Sequence, residues 1–183
     1  MAEFQTSIPD IRDYRKIILV GSSGSGKSYY ARKLADLTGY PLIHLDNEFW
    51  QPNWVKTPKD EWVGKQQAMI AGDTWIIDGN YNSTLELRFS AAELIVFLDI
   101  SRWVCLFAAW KRHGQKRSDL PGYLDEKFDW EFLTFLKWIW EFPRKHKSRI
   151  LTLHEKYAEK PFLIIPSRRY MDQLLDAWRQ PIK

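Results

Sequence analysis

The chain has 183 residues and only one cysteine, Cys105. One thiol cannot close an internal disulfide, so nothing argues for a cross-linked secreted scaffold. Long apolar runs are missing as well. No uninterrupted stretch approaches the roughly 20 residues that cross a bilayer, and the N-terminal residues mix charges with apolar side chains without a signal-peptide core. The expectation is a cytoplasmic protein with no membrane association. There is no internal repeat, no low-complexity linker, and no zinc or helix-turn-helix signature. Contact with DNA is therefore left open, with no motif to carry it. The net charge of +4 is mild. It suits an anionic ligand and does not by itself indicate nucleic acid.

What is present begins with KIILVGSSGSGKS, residues 16–28. Apolar Ile17, Ile18, Leu19 and Val20 run into Gly21-Ser22-Ser23-Gly24-Ser25-Gly26-Lys27-Ser28, which fits G-x-x-x-x-G-K-[ST] at every fixed position. Small residues let a backbone curl closely, so that its N–H groups converge on phosphate oxygens. The helix that follows adds the partial positive charge of its N-terminus. Lys27 is expected to reach the β- and γ-phosphates of ATP, and the Ser28 hydroxyl to ligate Mg2+. The nucleotide-binding set is Gly21 through Ser28 together with Tyr29. The dinucleotide fingerprint G-x-G-x-x-G is absent, because its third glycine would fall at Tyr29.

Strand and helix signals alternate along the chain. Strands are expected at Lys16–Val20, Pro41–Leu45, Thr74–Asp78, Leu94–Asp99 and Pro161–Ile165. Helices are expected from Lys27 to Leu37, from an N-cap at Thr57 to near Gly72, and from Ser83 to Ala91. Two more run from Ser101 to before Gly114 and from Ser167 to before Pro181. Alternation of this kind predicts an α/β fold, a parallel five-stranded sheet with helices on both faces. Residues 1–183 read as one domain, with 1–15 as an extension and 111–150 as an insertion. That insertion holds a basic loop, KRHGQKRSDLPGY, and a strongly aromatic helix. In the helix, Phe128, Phe132, Phe135, Ile139 and Phe142 form one stripe, and Leu133, Leu136 and Trp140 a second. The second stripe leaves open deep burial, a pocket wall or a homodimer contact.

Ligands in such sheets sit at the carboxyl ends of the strands. The third strand ends in Asp78, the candidate for holding Mg2+ with Ser28, and the fourth ends in Asp99, the runner-up. After the second strand, Asp46 and Glu48 are candidates for orienting an acceptor hydroxyl or taking its proton. His44 reads as a core histidine. Arg88 has the two-pronged fork to grip an acceptor phosphate or carboxylate. Arg112 and Arg117 in the basic loop are candidates for neutralising charge on a transferred phosphoryl group as a lid closes, with Arg144 a further lid candidate.

GSSGSGKS, HLDNEFW, WIIDGNYNSTLELR, FLDISRW and DWEFLTFLKWIWEFPRK together resemble the topology-modulation proteins, P-loop proteins related to adenylate kinase. The resemblance covers most of the chain after residue 15. It implies a nucleoside-monophosphate-kinase-like core of the P-loop NTPase fold, with strands ordered 2-3-1-4-5 and a small lid. It also implies that IIDGNY takes the place of the D-G-[FY]-P-R segment, which gives Asp78 the magnesium role. Here Asn80-Tyr81 stand where those kinases have an aromatic residue and Pro-Arg, and Arg88 comes much later. The expected activity is Mg2+-dependent phosphoryl transfer from ATP to a small molecule, such as a nucleotide or nucleoside. Its rivals are a regulatory nucleotide-binding module acting on DNA topology and a plain nucleoside triphosphatase.

Overall fold

The computed structural model describes residues 9–52, 55–113 and 130–180. A 3-10 turn, Ile11–Asp13, precedes β1 (Lys16–Gly21) and α1 (Lys27–Thr38). Next come β2 (Leu42–His44), α2 (Leu45–Phe49) and the short antiparallel pair β3 (Trp50–Gln51) and β4 (Val55–Lys56). They are followed by α3 (Lys59–Ile70), β5 (Trp75–Asp78), α4 (Leu85–Ala91), β6 (Leu94–Leu98) and α5 (Arg102–Arg112). Further along the chain lie α6 (Trp130–Lys145), α7 (Lys147–Lys156), β7 (Phe162–Ile165) and α8 (Arg168–Arg179).

Five strands form one parallel sheet in the order β2-β5-β1-β6-β7. Counting only these strands, that is 2-3-1-4-5. Each matches its expected position to within one residue at either end. β1, β5 and β6 are buried along their lengths except for Lys16, as continuous apolar strands covered on both faces must be. Alternate side chains feed two cores. Ile17, Leu19, Leu94, Val96 and Leu98 pack with α1, α5, α6 and α8. Ile18, Val20, Ile77, Ile95 and Phe97 pack with α3, α4 and α7.

Several local expectations are corrected. α3 starts at Lys59 with Pro58 at its cap, not with Thr57. The Thr57 hydroxyl instead donates to the Phe49 carbonyl at 2.6 Å, which ties the chain after β4 to α2. The described part of the N-terminal extension, from Pro9, packs against the domain. Ile11 is fully buried, and Trp178 Nε1 donates to the Pro9 carbonyl at 3.0 Å. The aromatic helix is followed by a second helix, α7, after a turn at His146. The two stripes of α6 divide between core and surface. Phe132, Ile139 and Phe142 are buried, whereas Leu133 and Trp140 are exposed. Trp140 meets the exposed Trp103 of α5 edge-on at 5.0 Å, and the Arg102 guanidinium lies 4.5 Å from its ring. Phe128 and Arg117 fall outside the described residues.

Candidate active site

β1 ends directly in the glycine-rich loop. Gly24 and Gly26 take φ values of +77° and +102°, conformations that side-chain-bearing residues rarely adopt. A Cβ on Gly24 would stand 2.3 Å from the Cys105 carbonyl oxygen, so the loop curls only because α5 can approach a bare Cα. Cys105 itself is fully buried, in keeping with a packing role. Gly26 is the N-cap of α1 and provides no side-chain cap. The first N–H groups of that helix therefore keep their capacity for an outside acceptor. The Ser25 hydroxyl is fully buried and has no hydrogen-bond partner among the described residues. Tyr29, in the first turn, is half exposed and stacks edge-on with Tyr30 at 5.1 Å.

The Lys27 ammonium reaches back across the loop and donates to the Ser22 carbonyl at 3.0 Å. Burial pushes its pKa down, while the carboxylates of Asp78 and Asp46 push it up and Arg112 opposes them. A desolvated cation near two carboxylates is thus held at the loop that would carry phosphate. Ser28 follows it in the first turn, half-buried.

Asp78 ends β5, in register with Leu19 on one side and His44 on the other. Its Oδ2 lies 3.1 Å from His44 Nδ1, so His44 serves as a partner to this carboxylate. Asp78 Oδ1 is buried without a hydrogen-bond partner among the described residues. A buried carboxylate oxygen left over in this way is suited to a cation or a cation-bound water. Asp99, at the end of β6, has a different environment, because Lys147 Nζ sits 2.5 Å from its Oδ2.

The residues expected to face an acceptor lie on α2 and in the turn after β5. Asp46 lies in the first turn of α2, exposed, and accepts from the Tyr81 hydroxyl at 2.7 Å. Burial raises the Tyr81 pKa, and the neighbouring Asp46 raises it further, so the phenol stays a donor. The Tyr81 ring packs on Phe49 and Trp62 at 4.6 and 5.0 Å. Glu48 is exposed on the same short helix.

Arg88 does not present its fork outward. It is fully buried on α4 and donates to Gln66 Oε1, to Thr84 Oγ1 at 3.1 Å, to the Gly79 carbonyl at 3.5 Å and to the Asn80 carbonyl. Burial lowers its pKa to about 9, with Tyr81 acting in the opposite direction. Arg112, half-buried in the last turn of α5, belongs to the loop's electrostatic surroundings through Lys27. Arg144 is exposed near the end of α6.

Two contributors escape a reading of the sequence. Arg168, the first residue of α8, donates through Nη2 to the Gly24 carbonyl at 2.5 Å and through Nε to the Ser25 carbonyl at 3.5 Å. Its signal is its place just after the fifth strand, on the same carboxyl edge. Asn80 forms a reciprocal pair with Gly21: Gly21 N–H donates to Asn80 Oδ1 at 3.0 Å, and Asn80 Nδ2 donates to the Gly21 carbonyl at 2.7 Å.

No protein-family model and no curated protein matches the chain. Solved structures do. Shikimate kinase from Acinetobacter baumannii in complex with shikimate superposes with a TM-score of 0.60 at 12% identity, covering 91% of this chain and 92% of that one. A gluconokinase from Sinorhizobium meliloti 1021 gives 0.51 at 15% identity, with 90% and 89% covered. Shikimate kinase from Bacteroides thetaiotaomicron gives 0.50 at 13%, with 90% and 95% covered. At these identities the likeness is one of fold alone: these structures share the parallel five-stranded sheet with flanking helices.

Proposed function

We propose that the protein transfers the γ-phosphoryl group of ATP, with Mg2+, to a hydroxyl of a small molecule. The observation that carries this reading is the meeting of Lys27, the glycine loop and the half-satisfied Asp78 carboxylate at the carboxyl edge of the sheet. The solved neighbours named as kinases of small molecules support the acceptor class. The segments that resemble the topology-modulation proteins support placing the chain with them.

The loop from Gly21 to Tyr29 cradles the triphosphate through backbone N–H groups. Lys27 exchanges the Ser22 carbonyl for the β- and γ-phosphates. Ser28 and Asp78 are the residues that would hold Mg2+, which supplies charge neutralisation on the phosphate oxygens. Among the described residues no cluster of three or more His, Cys, Asp or Glu side chains forms a dedicated metal cage. Few protein ligands plus substrate phosphates is the arrangement magnesium favours. Asp46 accepts the proton of the acceptor hydroxyl as its oxygen bonds to the γ-phosphorus and the bond to ADP breaks. Arg112 and Arg117 offset the charge spread over the transferred group.

The test is a screen of hydroxyl-bearing metabolites with purified protein, ATP and Mg2+. A phosphorylated acceptor supports the kinase. Phosphate release with every acceptor left unmodified supports a triphosphatase. Salt-sensitive DNA binding without turnover supports the regulatory module.

A further inference from the structure

We propose that Asn80 is a positioning residue for the phosphate loop, and that Arg88 holds Asn80 in place. Its catalytic relevance rests on the phosphotransferase reading above, but its effect on loop geometry does not.

The β1–β5 ladder runs from Lys16 opposite Trp75 to Leu19 opposite Asp78, and its last backbone rung is Gly79 N–H to the Leu19 carbonyl at 3.2 Å. Beyond that point the chain turns away from β1. Gly79 has φ +141°, and Tyr81 has φ +39°, the one positive value among the described non-glycine residues. A Cβ on Gly79 would lie 2.9 Å from Leu45 Cβ, so the turn is also tightly packed. The next rung would have used the N–H and carbonyl of Gly21, and both groups would lose their partner on this side.

The Asn80 side chain takes over. Its amide carries one acceptor and one donor at the spacing of a peptide group, and these meet the Gly21 N–H and carbonyl at 3.0 and 2.7 Å. Gly21 is buried and is the first residue of the phosphate loop. Its other flank is closed by β6, where an added Cβ would stand 2.6 Å from the Leu98 carbonyl. The peptide at the base of the loop is thus clamped on one side by a strand and on the other by a side chain.

Arg88 fixes the clamp from beneath. Its guanidinium donates to the Gly79 and Asn80 carbonyls, and its other arm is tied to Gln66 of α3 and to Thr84. The peptide groups freed by the turn are therefore satisfied, and the Asn80 side chain is left to face Gly21. Preorganised loop N–H groups bind phosphate without first being ordered, so loosening the base should cost nucleotide affinity.

The experiment compares wild type, Asn80→Ala and Asn80→Asp. Asn80→Asp keeps the volume and the acceptor but points a carboxylate oxygen at the Gly21 carbonyl. Binding of a non-hydrolysable ATP analogue with Mg2+ is measured by calorimetry, and amide exchange of Gly21 is followed in the ligand-free protein. Both variants are expected to bind roughly tenfold more weakly or worse, with ligand-free melting within about 3 °C of wild type. In Asn80→Ala the Gly21 amide is expected to exchange faster while Leu94–Leu98 of β6 stays protected. Wild-type affinity in Asn80→Asp would overturn the proposal. So would loss of protection across the whole sheet, which would make Asn80 a residue of the fold in general. If wild type binds no nucleotide, the phosphotransferase reading fails. Gly21 exchange in Asn80→Ala then decides the clamp alone: faster exchange upholds it and unchanged exchange refutes it.

Discussion

His44 Nδ1 lies 3.1 Å from Asp78 Oδ2, and the other oxygen of that carboxylate is buried with no hydrogen-bond partner among the described residues. Asp99, one strand beyond β1 on the other side, is instead paired with Lys147 at 2.5 Å in a partly exposed bridge. Asp78→Asn is therefore expected to cut magnesium-dependent turnover about a hundredfold. Asp99→Asn should change it less than about threefold and cost under about 1 kcal/mol of stability. Turnover titrated with Mg2+, beside denaturant melts, checks both. A larger loss in the Asp99 variant would reverse the assignment.

Lys27→Ala should abolish phosphoryl transfer and leave the fold intact. Desolvation already depresses the pKa of this ammonium, so the ligand-free protein gives up little by losing it. Melting of the free protein should stay the same or rise slightly. The rise in melting temperature that ATP confers on wild type should vanish. A folded variant with undiminished transfer would refute the role given to the lysine.

Two glycines separate strain from crowding. Gly39 has φ +73° and open space around its missing Cβ, whereas Gly24 has φ +77° and a backbone oxygen 2.3 Å away. Gly39→Ala should cost about 1 kcal/mol, the left-handed penalty alone. Gly24→Ala should cost about 3 kcal/mol, because the contact with Cys105 adds an overpacking term. Urea melts of the two variants, with nucleotide binding measured alongside, distinguish these contributions.

The His146 ring packs against both Trp138 and Phe142, and its Nδ1 is 2.7 Å from Asn82 Nδ2. Burial depresses its pKa below the usual histidine value; Lys145 adds to the effect and Glu141 opposes it. The unfolded chain thus binds this proton more readily than the folded one. Stability should fall as pH drops through about 6.5, the unfolded value, and level off below the depressed folded pKa. His146→Gln should flatten that slope as pH falls through about 6.5. Denaturation at a series of pH values is the measurement, and an unchanged slope in the variant would assign the effect to another group.

The sheet is legible in the sequence because each central strand is a short apolar run ending in a glycine or an acid. Ile17–Val20 before Gly21 and Trp75–Ile77 before Asp78 are examples. The glycine-rich loop is legible because its residues are local in sequence. What depends on long-range meeting is harder to read. Arg88 occupies a helical position that suggests solvent, yet its partners are Gln66, 22 residues back, and two carbonyls of a turn. Asn80 finds Gly21 across 59 positions, and Arg168 finds Gly24 across 144. The α2 helix and the β3–β4 pair are too short for periodicity to show.

The rung between Asn80 and Gly21 belongs to the sheet by geometry but to a side chain by chemistry. Rungs made by two backbones are indifferent to which amino acids stand there, so ordinary point mutation leaves them in place. This one can be removed or weakened by a change to a single codon while every strand keeps its register. The setting of the glycine-rich loop's first peptide is therefore a heritable variable separable from the architecture, open to adjustment by selection or by design without redrawing the fold.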